Sequence, residues 1–448
     1  MKKIIYQIVI TAIIGLCVIA PIATFATYYT NSQDDNSTNL ENKILQTIDD
    51  DNMYENIKSL SKKPRVAGSE QEDEAVSFIE KQFESYGYET KVQPFSFNSY
   101  IAPHTIELTL DGFIHIVDPS ALEYSVSGHV VGEVVTAGLG KVKELQPLDL
   151  TGKIVLLKRG EISFKEKMLN AAKKGAAGVI FYNNAPGTIM GSLGEANGSF
   201  VPSVLLTQAE GEKLVKQVKN NPATHASLTI EGANSSTKVS HNVIATKKPS
   251  NHNSSIKAEH DIIVISAHHD SVAGAPGAND NASGTAMTLE LARVLKTITS
   301  DTEIRFITFG AEEVGLLGSN YYVNHLSANE IDRIIANFNL DMVGSKDAGQ
   351  LNLQTIDDKS NLVTELTKVA STKLNGKPTP VNQGDRSDHV PFAKAGIPAA
   401  LFIHNPAEPW YHKPEDKIDK ISKAKLQDVA EIVTLAIMNQ TRIEHFAK

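Results

Sequence analysis

His268, Asp280, Glu313, Asp341 and His412 each follow an apolar run or a loop signal in the C-terminal half of the chain. Imidazole nitrogen and carboxylate oxygen are the donors that borderline metals such as zinc accept. Such a set suits two ions that share one carboxylate, stand roughly 3.5–4 Å apart and activate a single water. No thiolate competes for the task. Cys17 is the only cysteine, and it lies in a segment expected to be removed, which excludes disulfides and a cysteine nucleophile from the mature chain.

Taken singly, each residue has a plainer alternative. His268 is one of 14 histidines, and Asp270, two residues on, is placed to orient its imidazole. Asp280 lies in Gly277-Ala-Asn-Asp280-Asn-Ala-Ser-Gly284, which also reads as a turn with an Asx helix cap. Its glycines permit close backbone approach to a metal centre. Glu312 and Glu313 could simply complement a helix dipole. Consecutive side chains diverge, however, so one could hold a metal while its neighbour holds the attacking water. Asp341 ends an apolar strand, where an unpaired charge is costly and metal binding supplies the compensation.

These residues need a frame that presents them together. Ile262-Ile-Val-Ile265 is a continuous apolar run of the kind buried on both faces of a parallel sheet. Ile304–Phe309, Ile334–Leu340 and Pro398–Ile403 supply further strands, and Met287, Leu291, Val294, Leu295 and Ile298 mark one helical face. Alternating strands and helices predict an α/β fold: a mixed, mostly parallel sheet flanked by helices. The candidate residues then fall just beyond strand C-termini, where such sheets bind ligands. Upstream, helical spacing holds from about Lys43 to Tyr88, broken by the turn Arg65-Val-Ala-Gly68, and Glu89–Phe97 alternates like a strand.

Residues 122–236 read as an inserted module. Lys153–Leu157 and Ala177–Tyr182 are strands on either side of a helix at Phe164–Ala172. No cluster of metal-type residues lies within it, so a lid or spacer is the expected role. The catalytic domain is accordingly split into 42–121 and 237–448. At the other end, Lys2 and Lys3 precede an apolar stretch from Ile4 to Val18, then Pro21 and Thr24-Phe25-Ala26. That is the pattern of a signal peptide over 1–26, followed by a polar linker over 27–41. Export is expected, with membrane contact only through this segment if it stays uncleaved.

Composition bounds the remainder. A chain of 448 residues predicts two or three domains. Apolar content of 41% and charged content of 21% fit a folded protein. A net charge of −9 argues against nucleic acid as a partner.

Taken in order, the motifs are recognisable. His268-His-Asp270, Gly277-Ala-Asn-Asp280-Asn-Ala-Ser-Gly284, Gly310-Ala-Glu-Glu313, Asn339-Leu-Asp341-Met and Tyr411-His412-Lys-Pro-Glu-Asp416 together resemble the two-zinc aminopeptidases of the aminopeptidase Y type. The phrases Leu150-Thr-Gly-Lys-Ile-Val-Leu156 and Gly175-Ala-Ala-Gly-Val-Ile180 resemble the protease-associated (PA) domain that exported bacterial members carry as an insertion. The resemblance implies two Zn2+ per chain, with Asp280 bridging, His268 and Asp341 completing one site, and Glu313 and His412 the other. It implies Glu312 as general base, Tyr411 as a phenol stabilising the oxyanion, and a cis peptide at Asp280-Asn281. Arg386, with Ser387-Asp388-His389, matches a further phrase and is a candidate substrate contact, while His389 has an equally good structural reading. Peptides with a free N-terminus are the implied substrates. A zinc carboxypeptidase or dipeptidase of the same superfamily, a receptor-like module without activity and a glutaminyl cyclase are the alternatives.

Overall fold

The computed structural model describes residues 39–111, 118–187, 190–250 and 260–441. The expected signal peptide with Cys17, linker positions 27–38 and the whole polar stretch 251–259 lie outside these residues; positions 39–41 of the expected linker are already helical. Among the described residues no helix is long and apolar enough to cross a membrane.

The described residues hold fifteen strands, numbered in chain order: β1 (Glu89–Ile101), β2 (Thr105–Leu110), β3 (Ser120–Ala121), β4 (Gly128–Thr136), β5 (Ile154–Lys158), β6 (Gly178–Tyr182), β7 (Ser203–Leu206), β8 (His225–Glu231), β9 (Asn234–Lys247), β10 (Ile262–His268), β11 (Glu303–Phe309), β12 (Ile334–Leu340), β13 (Gln350–Thr355), β14 (Val381–Gln383) and β15 (Ala399–Asn405). The chain divides into two compact units. One takes Glu74–Lys91, Val243 onward and the described residues up to Val66; the other takes Ala67–Asp73 and Val92–Asn242. The second unit thus includes β2, β3 and residues 67–73, which the expected boundaries of 122–236 leave out.

The eight-stranded sheet runs β1-β9-β11-β10-β12-β15-β13-β14. Its centre is parallel: β10 lies between β11 and β12, and β12 pairs in turn with β15. The partners β9 and β13 are antiparallel to β11 and β15, so the sheet is mixed and mostly parallel, as expected. All seven residues of β10 are buried, which explains its unbroken apolar run before the terminal Ser-Ala-His. The register is what positions chemistry. His268 pairs with Phe309 and Leu340 with Phe402, so four parallel strands end side by side and their following loops share one edge.

The other unit holds a seven-stranded sheet, β2-β8-β4-β5-β6-β7-β3. Alternation along its strands divides the apolar side chains between two cores. Val155, Leu157, Val179 and Phe181 pack with Met168 of the helix Phe164–Lys173. Ile154, Leu156, Ile180 and Tyr182 pack with Leu214 and Val218 of the helix Gln208–Asn220. A sheet buried on both faces by helices of its own needs no outside cover to form a core.

Candidate active site

Asp280 stands at the centre of the site. Its Oδ1 lies 3.3 Å from His268 Nε2 and its Oδ2 lies 3.2 Å from His412 Nε2. His268 Nε2 is also 3.4 Å from Asp341 Oδ1 and 3.9 Å from Glu312 Oε2, while His412 Nε2 is 3.1 Å from Glu313 Oε2. All five expected ligand-type residues and Glu312 therefore converge. They form two groups joined through one carboxylate. Tyr411 stacks on the His412 ring with centroids 3.8 Å apart and is itself half-exposed.

Local geometry explains why glycines surround Asp280. After β10 the chain makes a kinked turn, Ala278–Ser283, whose Asp280 and Asn281 leave helical geometry, before the helix Gly284–Leu295. Gly277 enters it at φ +64, and a Cβ there would lie 2.3 Å from the Asp280 carbonyl. A Cβ on Gly284 would meet the Leu340 carbonyl at 2.1 Å. The Asp280-Asn281 peptide is cis, as expected. Asn281 then ties the turn to the end of β12, donating to the Leu340 carbonyl at 2.9 Å and accepting the Gly284 N–H at 2.8 Å.

The plainer alternative for the acid pair falls away. Glu312 and Glu313 do not begin a helix, which starts at Leu317. They sit in the preceding turn, so the helix dipole does not account for them. Asp270 holds that turn instead, its two oxygens accepting the Glu312 and Glu313 N–H groups at 3.1 and 3.2 Å. The same carboxylate is 3.5 Å from His268 Nδ1, so it sets both an imidazole and the acid pair.

Several positioning residues escape a reading by motif. Arg65 is fully buried and donates to the carbonyls of His269 (2.6 Å), Leu60 (2.9 Å), Pro276 (2.6 Å) and Gly277 (3.0 Å). Burial pulls its pKa down to about 10, against the pull of the Asp270, Asp416, Asp280 and Glu313 charges. Its only sequence signal is the turn Arg65-Val-Ala-Gly68. A buried chain, Asn337 to Ser266 to Asn339 to Ser387 to Asp341 Oδ2, runs through contacts of 2.7 to 2.9 Å. Arg386, beside Ser387, is exposed and makes no ion pair among the described residues. His389 is buried with Nε2 donating to the Gly384 carbonyl at 2.9 Å, and burial lowers its pKa. The structural reading of His389 is the better one.

The electrostatics are those of a site built for cations. Burial raises the Glu313 pKa to about 7, with the Asp280 charge adding to it, and burial likewise holds Glu312 well above the carboxylate range. Burial pulls His268 down, but the Glu312 and Asp341 charges outweigh it and hold its pKa well above the usual imidazole range. Hydrogen bonds to Asp280 and then Glu313 raise His412 to about 10. Two buried oxygens, Glu313 Oε1 and Asp341 Oδ1, have no hydrogen-bond partner. Buried carboxylates are rarely left so, and a nitrogen and oxygen donor set of this kind fits zinc.

The family model for peptidase family M28 matches residues 242–437, and that for the PA domain matches 126–214. Aminopeptidase YwaD of Bacillus subtilis (strain 168) is 40% identical over 408 residues, which are 87% of this chain and 85% of that protein. The chain belongs to peptidase family M28. A probable leucine aminopeptidase 2 of Aspergillus fumigatus is 32% identical to this M28 chain over 75% of its length and 67% of the relative. Among solved structures, an aminopeptidase from Aneurinibacillus sp. strain AM-1 shares 50% identity at a TM-score of 0.72, covering 91% of this chain and 97% of that one. BSAP, a zinc aminopeptidase from Bacillus subtilis, shares 39% identity at a TM-score of 0.61, covering 90% and 97%. The M28 chain is accordingly a zinc-dependent metallo-aminopeptidase, a hydrolase of peptide bonds, with an inserted PA domain.

Proposed function

We propose that this M28 enzyme is exported and removes N-terminal residues from peptides with two zinc ions and Glu312 as general base. The observation that carries the reading is the Asp280 carboxylate, with one oxygen facing His268 and the other facing His412. His268, Asp341 and Asp280 Oδ1 would hold one ion, and Glu313, His412 and Asp280 Oδ2 the other. When bound, the ions supply Lewis acidity and bring the pKa of an attacking water toward neutrality.

The residues of the chain do the rest. Glu312 takes the proton of the attacking water on its carboxylate and returns it to the leaving amine. Its contact with His268 and its hold on the Asp270 clamp through the backbone N–H keep that carboxylate aimed at the shared edge. The Tyr411 hydroxyl donates to the oxyanion as the carbonyl becomes tetrahedral. Carboxylates of the site attract the substrate's free α-ammonium, which restricts cleavage to the first peptide bond.

The test is hydrolysis of a panel of aminoacyl-anilides and their N-acetylated counterparts, with metal analysis before and after chelation. Two zinc ions per chain, loss of activity on chelation, its return with zinc and no cleavage of acetylated substrates are expected. Cleavage of acetylated peptides from the C-terminus would establish a carboxypeptidase instead. Export is tested separately: protein recovered from the medium should begin near Thr27, and a mature chain retaining Lys2 and Lys3 would contradict signal cleavage.

A further inference from the structure

Between Asn405 and Lys417 the chain runs largely in solvent, and only two of its positions are buried. Both are acids, Glu408 and Asp416. They stand four residues before and four after His412. Both reach the same residue. Asp416 accepts the Asn279 N–H through Oδ1 at 2.8 Å and the Asp280 N–H through Oδ2 at 3.0 Å, and Glu408 Oε1 accepts from Asn279 Nδ2 at 2.8 Å. Asn279 is itself pinned, its Oδ1 accepting the Gly344 N–H at 2.9 Å and its carbonyl accepting the Ser283 hydroxyl at 2.7 Å.

Burying a carboxylate is costly unless hydrogen bonds replace its water, so two in one exposed loop need a reason. The two halves of the site differ in support. The His268 side chain is 1% exposed and sits on a strand end, whereas the His412 side chain is 37% exposed and sits at the crest of this loop. Packing fixes the first; the second is held by its loop, through the two tethers, the stacked Tyr411 ring and the Trp410 indole donating to Asp347 Oδ2 at 2.9 Å.

We propose that Glu408 and Asp416 are positioning residues that act through Asn279 to present His412 to Asp280. Asp416 also holds the Asp280 turn that both ion positions share, so the contribution particular to the position completed by His412 is that of Glu408, on which the position completed by His268 and Asp341 does not depend. This assignment rests on the two-ion reading above.

Zinc titration of the metal-free chain against a chromophoric chelator tests it. Glu408→Ala should leave the tighter zinc within about twofold of wild type and weaken the other at least about tenfold, the loss expected when one buried hydrogen bond is removed. Glu408→Met keeps the volume without an acceptor and should give the same split if the alanine variant fails to fold. Glu408→Gln keeps an amide oxygen facing Asn279 Nδ2 and should restore the wild-type titration. Equal weakening of both ions, as a general loss of structure would cause, overturns the assignment. So does an unchanged titration in both the alanine and methionine variants. A wild-type chain that holds a single zinc overturns the two-ion reading itself, an outcome distinct from either of these.

Discussion

At Asp280 one carboxylate faces two imidazoles, and the turn beneath it is held by hydrogen bonds from three directions: Asp416 on its N–H groups, Asn281 on β12 and Arg65 on the Gly277 carbonyl. Glu312 has no such bridging place. It lies 3.9 Å from His268, near enough to the ligands to act on a water and outside the closest pairs. Glu312→Gln is therefore expected to keep its zinc while kcat falls on the order of a thousandfold, the scale of a lost general base. Metal analysis beside single-turnover kinetics separates the two, and near-normal turnover would remove Glu312 from the role. The first circle of residues was legible because acids and histidines at the ends of apolar strands have few other uses. Its support was not. Arg65 meets His269 across 204 positions, and its guanidinium binds only carbonyls, which leave no pattern of side-chain types. Asp416 was in view only as the end of the phrase beginning at Tyr411, and nothing in that phrase says that it binds backbone.

Strands set where those residues end, and glycines let neighbouring loops close on them. Gly284 is the sharpest case, since a Cβ would sit 2.1 Å from the Leu340 carbonyl at the end of β12. Gly284→Ala should destabilise the fold by about 1–3 kcal/mol through overpacking and lower zinc content, both measurable by urea denaturation with metal analysis; a wild-type midpoint would sink the argument. On β15, burial and then the Lys425 charge pull the buried His404 down to about 4 from 6.5. The unfolded chain thus takes up a proton between these values while the folded chain does not. His404 costs nothing above pH 6.5, and stability falls as pH drops from 6.5 toward 4. His404→Gln should flatten that slope, read from urea midpoints at several pH values. The central strands were legible because parallel, doubly buried strands appear as unbroken apolar runs. The edge was not: β13 reads Gln-Leu-Asn-Leu-Gln-Thr, and β14 has three residues.

Across the whole molecule, metal and fold should be linked. Site residues from β10, β11 and β12 and from the loop after β15 are separated in sequence by up to 144 positions (412 − 268), so an unfolded chain has no preformed set of ligands. Zinc that binds only the folded state at 100 times its Kd adds about 2.7 kcal/mol. Chelation should lower the melting temperature of the wild type, and the Asp280→Ala variant should show little further drop; equal shifts in both would mean that the metal binds elsewhere. The PA phrases made the insertion visible in the sequence, but not where it is spliced in. Apart from the short stretch Ala67–Asp73, the chain leaves for the second unit through β1 and returns through β9, and these are adjacent strands of one sheet. The PA domain is thus an insertion between two strands that neighbour each other in that sheet. An excursion that leaves and returns on neighbouring strands, whatever its length, keeps the central order β11-β10-β12-β15 uninterrupted, and with it the edge that carries the ligands.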